Sequence, residues 1–252
     1  MNVMAACAAA LGFLLAAAGA APAGPSAGIG QISQIADEAA ALRERGGGVR
    51  NHAHVRMEGD RNAVALRQHG AGHEARITVQ GTEIGAGAEG PALVLQRGSF
   101  NSAEVRAQGG GHHFHLAQDG LGNAALLDQQ TARGASARAH AHVRQTGADN
   151  VVAAHQVTRG ARDLRLHVTQ NGSENLAASR QRGSGHEAWL AQGGDGNTAL
   201  FAQVGHGTTI GPVIQDGNGL DVRIELGGGL RAVAVTQRGA APPVSIGPGG
   251  TR

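Results

Sequence analysis

The chain has 252 residues, of which 42 are Gly and only 2% aromatic, with a formal net charge of +2 carried entirely by Arg, since Lys is absent. Large aromatics dominate burial in a conventional globular core, and the Gly lacks the three-residue period of collagen. The hydrophobic fraction of 41% is too high for a simple disordered tract, and scattered Arg without aromatics to stack on argues against a nucleic-acid partner.

Residues 1–23 read as a secretory signal peptide. Ala5 to Ala20 is almost wholly Ala, Leu, Phe and Gly, and either Ala18-Gly19-Ala20 or Ala21-Pro22-Ala23 fits a signal-peptidase site. Met1–Met4 contains no Lys or Arg, so only the α-amino group supplies positive charge there. The apolar run is short for a membrane anchor, so export is expected, with no stable membrane insertion after signal removal. The only cysteine, Cys7, lies inside this segment, which leaves the mature chain without disulfides or thiolate metal sites. Residues 24–48 form a leader in which Gln34–Arg45, rich in Ala, Leu and charged residues, suits a short helix that caps the first repeat.

Residues 49–240 carry a repeat, Gln-x-Gly-x-x-Asn-x-Ala/Val-x-x-x-Gln. It is clean at Gln118–Gln129, Gln145–Gln156, Gln170–Gln181 and Gln192–Gln203. A looser copy spans Met57–Gln68, another spans Gln96–Gln108 with one extra residue, and a half-copy starts at Gln237. Two positions before each first slot stand Val55, Val94, Leu116, Val143, Val168, Leu190, Val213 and Val235, all aliphatic. Residues two apart on a strand share a face, so these aliphatics point the same way as the amides. The second half alternates likewise, as in Asn123-Ala125-Leu127-Gln129, with polar residues such as Asp128 and His155 between. The intervening x-Gly-x-x is a tight reversal. The stretch around 80–95 is irregular and reads as a loop or a shortened unit. In the tail, residues 241–252, Pro242 and Pro243 are expected to stop strand pairing.

One such unit cannot bury its apolar face, whereas a repeat of roughly twenty-two to twenty-seven residues stacks into a solenoid. The fold expected is all-β, an amyloid-like β-solenoid of stacked strand-turn-strand repeats. Inward Gln and Asn then form ladders, each amide donating to and accepting from the next layer.

The repeat resembles the curlin repeat of curli fibre subunits, over about Val49 to Gly239. The resemblance implies a secreted bacterial protein that polymerises into extracellular amyloid fibres for biofilm matrix and surface adhesion. It also implies a dedicated outer-membrane secretion pore, periplasmic chaperones, a second curlin-type subunit as partner, and a flexible export-recognition leader as the other reading of residues 24–48. On this reading the self-assembly ladder is Gln118, Asn123, Gln129, Gln145, Asn150, Gln156, Gln170, Asn175, Gln181, Gln192, Asn197 and Gln203. Departures exist: His186 replaces Asn in the frame starting at Gln181, Leu220 and Leu226 replace amides after Gln215, and Tyr is missing. Both a major subunit and a nucleator-like minor subunit fit.

Histidine recurs in phase. His113 and His115, and His140 and His142, precede Gln118 and Gln145 by five and three positions, and His167 precedes Gln170 by three. By parity these project outward, either as a solvated polar face copied with the repeat or as a stripe that binds transition metals or senses pH. Slower assembly below the His pKa is expected, since like charges in adjacent layers repel. No Gly-x-Ser-x-Gly elbow, zinc-protease helix or phosphate loop is present, so neither an enzyme nor a cofactor is expected. Two readings remain: a fibre subunit, or a monomeric β-solenoid adhesin or His-rich metal-binding surface protein with capped ends. For mutagenesis, Arg144 and Val151 are expected to face outward and to serve as controls for Gln145 and Asn150.

Overall fold

The computed structural model describes residues 50–58, 63–80, 92–131, 138–160, 162–229 and 231–247. The expected signal peptide, the leader and residues 81–91 of the irregular stretch expected around 80–95 lie outside the described residues, while Gln80 ends one strand and 92–95 begin another. Successive strands alternate between two parallel sheets. One sheet has nine strands in the order β1 (His52–Glu58), β3 (Glu74–Gln80), β5 (Ser102–Gln108), β7 (Ala124–Thr131), β9 (Val151–Thr158), β11 (Leu176–Ser184), β13 (Thr198–His206), β15 (Asp221–Gly228) and β17 (Val244–Ile246). The other has eight: β2 (Val64–Ala71), β4 (Ala92–Ser99), β6 (His113–Leu121), β8 (Ala139–Ala148), β10 (Leu164–Ser173), β12 (Glu187–Gly193), β14 (Thr208–Asp216) and β16 (Arg231–Arg238). Each coil is therefore one even and one odd strand, and the protein is a parallel β-solenoid.

The alternation in the sequence decides which side chains meet. On β6, Phe114, Leu116 and Gln118 are buried between the sheets, while His113, His115 and Ala117 alternate with them on the outer face. On β7, Ala125, Leu127 and Gln129 close the interior from the opposite side. Register then stacks equivalents: Leu116 on Val143, Gln118 on Gln145, Gly120 on Gly147. The result is one continuous apolar seam running from Ile77 to Leu226.

The Gly of the repeat has two reasons to be there. Gly147 has φ 111°, a region essentially closed to other residues. A Cβ on it would also stand 2.1 Å from the carbonyl oxygen of Gly172 in the next coil. Coils are packed there backbone on backbone, so the turn column admits no side chain.

Four expectations are corrected. Val151 is not an outward control: it is 6% exposed and belongs to a second apolar cluster with Ala124, Leu126, Ala153, Ala178, Leu200 and Ala202 on the other side of the odd sheet. Odd strands are thus apolar on both faces near their starts, and the polar alternation begins only at Asp128 and His155. Second, Met57 lies on β1 and Gln68 on β2, so this copy of the repeat crosses between the sheets in the opposite phase to the clean ones. Third, the repeat frame has no copy between Gln68 and Gln96, yet Glu74–Gln80 is a strand, with Val79, paired with Ala107, in the slot that an amide fills in later coils. Fourth, strand pairing resumes beyond Pro242 and Pro243: Val244–Ile246 pairs in parallel with Val222–Ile224.

Candidate functional site

The interior amides join into three ladders. In the even sheet, Gln68, Gln96, Gln118, Gln145, Gln170, Gln192, Gln215 and Gln237 form one unbroken series. Each Nε2 donates to the Oε1 of the next at 2.8–3.0 Å. The second Nε2 proton is used as well. Gln145 donates to the carbonyl oxygens of Ala124 and Asn150, at 3.1 and 2.9 Å. In the odd sheet Gln129, Gln156, Gln181 and Gln203 form a shorter ladder at 3.0, 2.7 and 2.8 Å. A third ladder lines the turn. Asn123, Asn150 and Asn175 each donate through Nδ2 to the Oδ1 of the preceding Asn at 3.0 Å, with Asn101 the first acceptor. Asn197 takes up the series through its backbone N–H, 3.0 Å from Asn175 Oδ1. All twelve ladder residues expected from the sequence are at most 2% exposed.

The ladders stop where the amide is lost. Ala107 is paired with Gln129, so the extra residue in the Gln96–Gln108 copy turns Gln108 outward. Gln129 Oε1 is consequently a buried acceptor with no hydrogen-bond partner. At the far end Leu226 sits opposite Gln203, and Leu220 offers only its backbone N–H to Asn197 Oδ1, at 3.0 Å.

Three fully buried histidines play the part of turn asparagines. His112 Nδ1 accepts the N–H of Ala139 in the next coil at 3.1 Å, and its Nε2 faces the Gln108 carbonyl four residues back at 3.3 Å. Asn123 makes the same two contacts: its Oδ1 accepts the Asn150 N–H at 3.2 Å and its Nδ2 donates to the Asp119 carbonyl four residues back at 3.5 Å. His186 repeats this, with Nδ1 accepting from Thr208 N–H at 3.3 Å and Nε2 facing the Arg182 carbonyl at 3.2 Å. His73 does so with Asn101 N–H and the His69 carbonyl, at 3.3 and 3.1 Å. The geometry demands the neutral ring with its proton on Nε2. Burial pushes His112 down to about 4, against a smaller opposing effect of the Gln108 carbonyl. Burial lowers His186 as well. Of these three only His186 stood out in the sequence; the spacing Gly-x-x-His at Gly70–His73 and Gly109–His112 is the signal that finds the others.

On the outer face of the even sheet, His115, His142 and His167 stack in register. Ring centroids of His115 and His142 are 4.7 Å apart at 37°, and those of His142 and His167 are 4.8 Å apart and almost parallel, at 3°. Trp189 extends the row edge-on at 6.2 Å and is half exposed. His113 and His140 form the neighbouring column at 6.4 Å, and His140 Nε2 lies 3.4 Å from Asp163 Oδ2. Together these side chains line a groove of about 810 Å³. Partial burial lowers the affinity of His115, His142 and His167 for protons, and for His142 the adjoining imidazoles and Arg144 add to it. Among the described residues no group of three or more His, Cys, Asp or Glu side chains is arranged to hold a metal. Comparisons with protein-family models, curated proteins and solved structures find no match for this chain.

Proposed function

We propose that the protein is an exported structural subunit that assembles end to end into curli-like extracellular fibres serving biofilm matrix and surface adhesion. The observation that carries this reading is the unbroken Gln68–Gln237 ladder, because its unit of addition is a whole coil whose Gln repeats the amide-to-amide bond of the one before. The N-terminal end supports it further. Every residue of β1 is exposed, and Gln68 is the first rung of the ladder among the described residues, its Oε1 being the atom that an earlier rung would engage. Among the described residues β1 pairs only with β3, and an unpaired strand edge is a template for another chain. By the curlin resemblance the chain reaches the surface through a secretion pore with periplasmic chaperones, and a second curlin-type subunit nucleates or extends it.

A second reading, a monomeric solenoid adhesin, draws on the C-terminal end. There Gln237 is the last rung of the ladder among the described residues, and β17, the strand that follows it, is only three residues long. Purified mature protein held at micromolar concentration separates the two. Fibres that bind thioflavin-T and diffract at about 4.7–4.8 and 10 Å support the first reading. A species that stays monomeric by light scattering supports the second.

A further inference from the structure

We propose that His115 and His142 clamp a divalent transition-metal ion between adjacent coils on the outer face of the even sheet. Their Nδ1 atoms lie 3.3 Å apart. Two imidazole nitrogens bound at ~2.0–2.1 Å to one tetrahedral ion are separated by ~3.3–3.4 Å, so the pair already has the bite of a chelate. The 37° tilt between the rings lets the two lone pairs converge on one point. The next pair up the row lacks this property: His142 and His167 are within 3° of parallel, so their in-plane lone pairs run side by side. The site is therefore local to one coil junction and is not spread along the stack.

The chemistry of the donors selects the ion. Imidazole suits copper, nickel and zinc, and the 3.3 Å separation matches the tetrahedral preference of zinc(II) rather than the tetragonal one of copper(II), whose cis nitrogens lie ~2.8 Å apart. Both rings are neutral near pH 7, because partial burial holds them below the usual imidazole range. Two protein nitrogens leave the remaining positions to water from the groove. His113 and His140 pair in register one step along the same two strands, so the donors come as two His-x-His segments facing one another. Bound metal would pin β6 to β8.

Zinc(II) alone, titrated calorimetrically into the mature full chain at pH 7.5 in a non-coordinating buffer, tests this. One saturable ion per chain is expected, with cobalt(II) in its place showing the visible absorption of a tetrahedral site. The double variant His115→Ala/His142→Ala is expected to weaken binding at least tenfold, and His167→Ala to change it less than twofold. Circular dichroism confirms that each variant keeps its strand content. Absence of saturable binding overturns the proposal. So does a loss in His167→Ala equal to that in the double variant, or undiminished binding in a folded double variant.

Discussion

At the scale of single residues, a histidine in an asparagine slot converts a fixed hydrogen bond into a titratable one. Asn123 and His112 make equivalent contacts, but only the imidazole can acquire a proton on the atom that must accept. The folded His112 sits near 4 against an ordinary 6.5, so between these values the unfolded chain binds more protons than the folded one. Stability from this residue is complete above pH 6.5 and is lost as pH falls to about 4, an effect of roughly 3 kcal/mol. The groups around the ring act unequally: His140 pushes it down and Asp128 pulls it up. Urea midpoints measured at pH 7.5 and 4.5 are expected to fall with acidification. His112→Asn, which restores the amide, is expected to flatten part of that fall. His186 titrates in the same direction and keeps the remainder.

At the scale of elements, the ladder rather than the individual strand is the unit of stability. Gln145 accepts from Gln118 and donates to Gln170, so truncating it strands a buried donor on one side and a buried acceptor on the other. Each orphaned group costs about 1–3 kcal/mol. The variant Gln145→Ala/Asn150→Ala is expected to lower stability by several kcal/mol and lengthen the lag of any assembly. Arg144→Ala, on the exposed face of β8, should leave both within about 0.5 kcal/mol of wild type. The converse change is available at Ala107. Its slot is occupied by Gln from Gln129 to Gln203, and Gln129 Oε1 lacks a donor. Ala107→Gln is expected to supply that donor but to leave its own Oε1 opposite Val79, so the urea midpoint is expected to move by less than about 1 kcal/mol.

At the scale of the whole molecule, the two ends differ. The first coil exposes all of β1, together with Val55 and Met57 at 42% and 49% exposed. The last coil tapers into the short β17. Growth from a preformed seed is therefore expected to add subunits faster at the N-terminal face, visible by microscopy of fibres carrying an end-specific label. Equal growth at both ends would remove this polarity. The second apolar cluster, on the other side of the odd sheet, gives the solenoid two dry layers where a minimal repeat needs one.

The strand-turn-strand plan, the inward amides and the aliphatics two positions before them were legible in the sequence, because a period of two and a fixed frame state local geometry directly. So were the losses at Leu220 and Leu226. Three things were settled only by the stack. Register decided that Ala107, not Gln108, faces Gln129, since a one-residue slip exchanges the two faces of a strand. Contact between coils decided that His73, His112 and His186 act as buried acceptors while His115 and His142 meet outside, a distinction invisible to composition. Packing around the odd sheet decided that Val151 is buried. Repeats written in one dimension fix which residues are equivalent; what each equivalent residue touches depends on neighbours about twenty-five positions away, and only the folded stack brings those together.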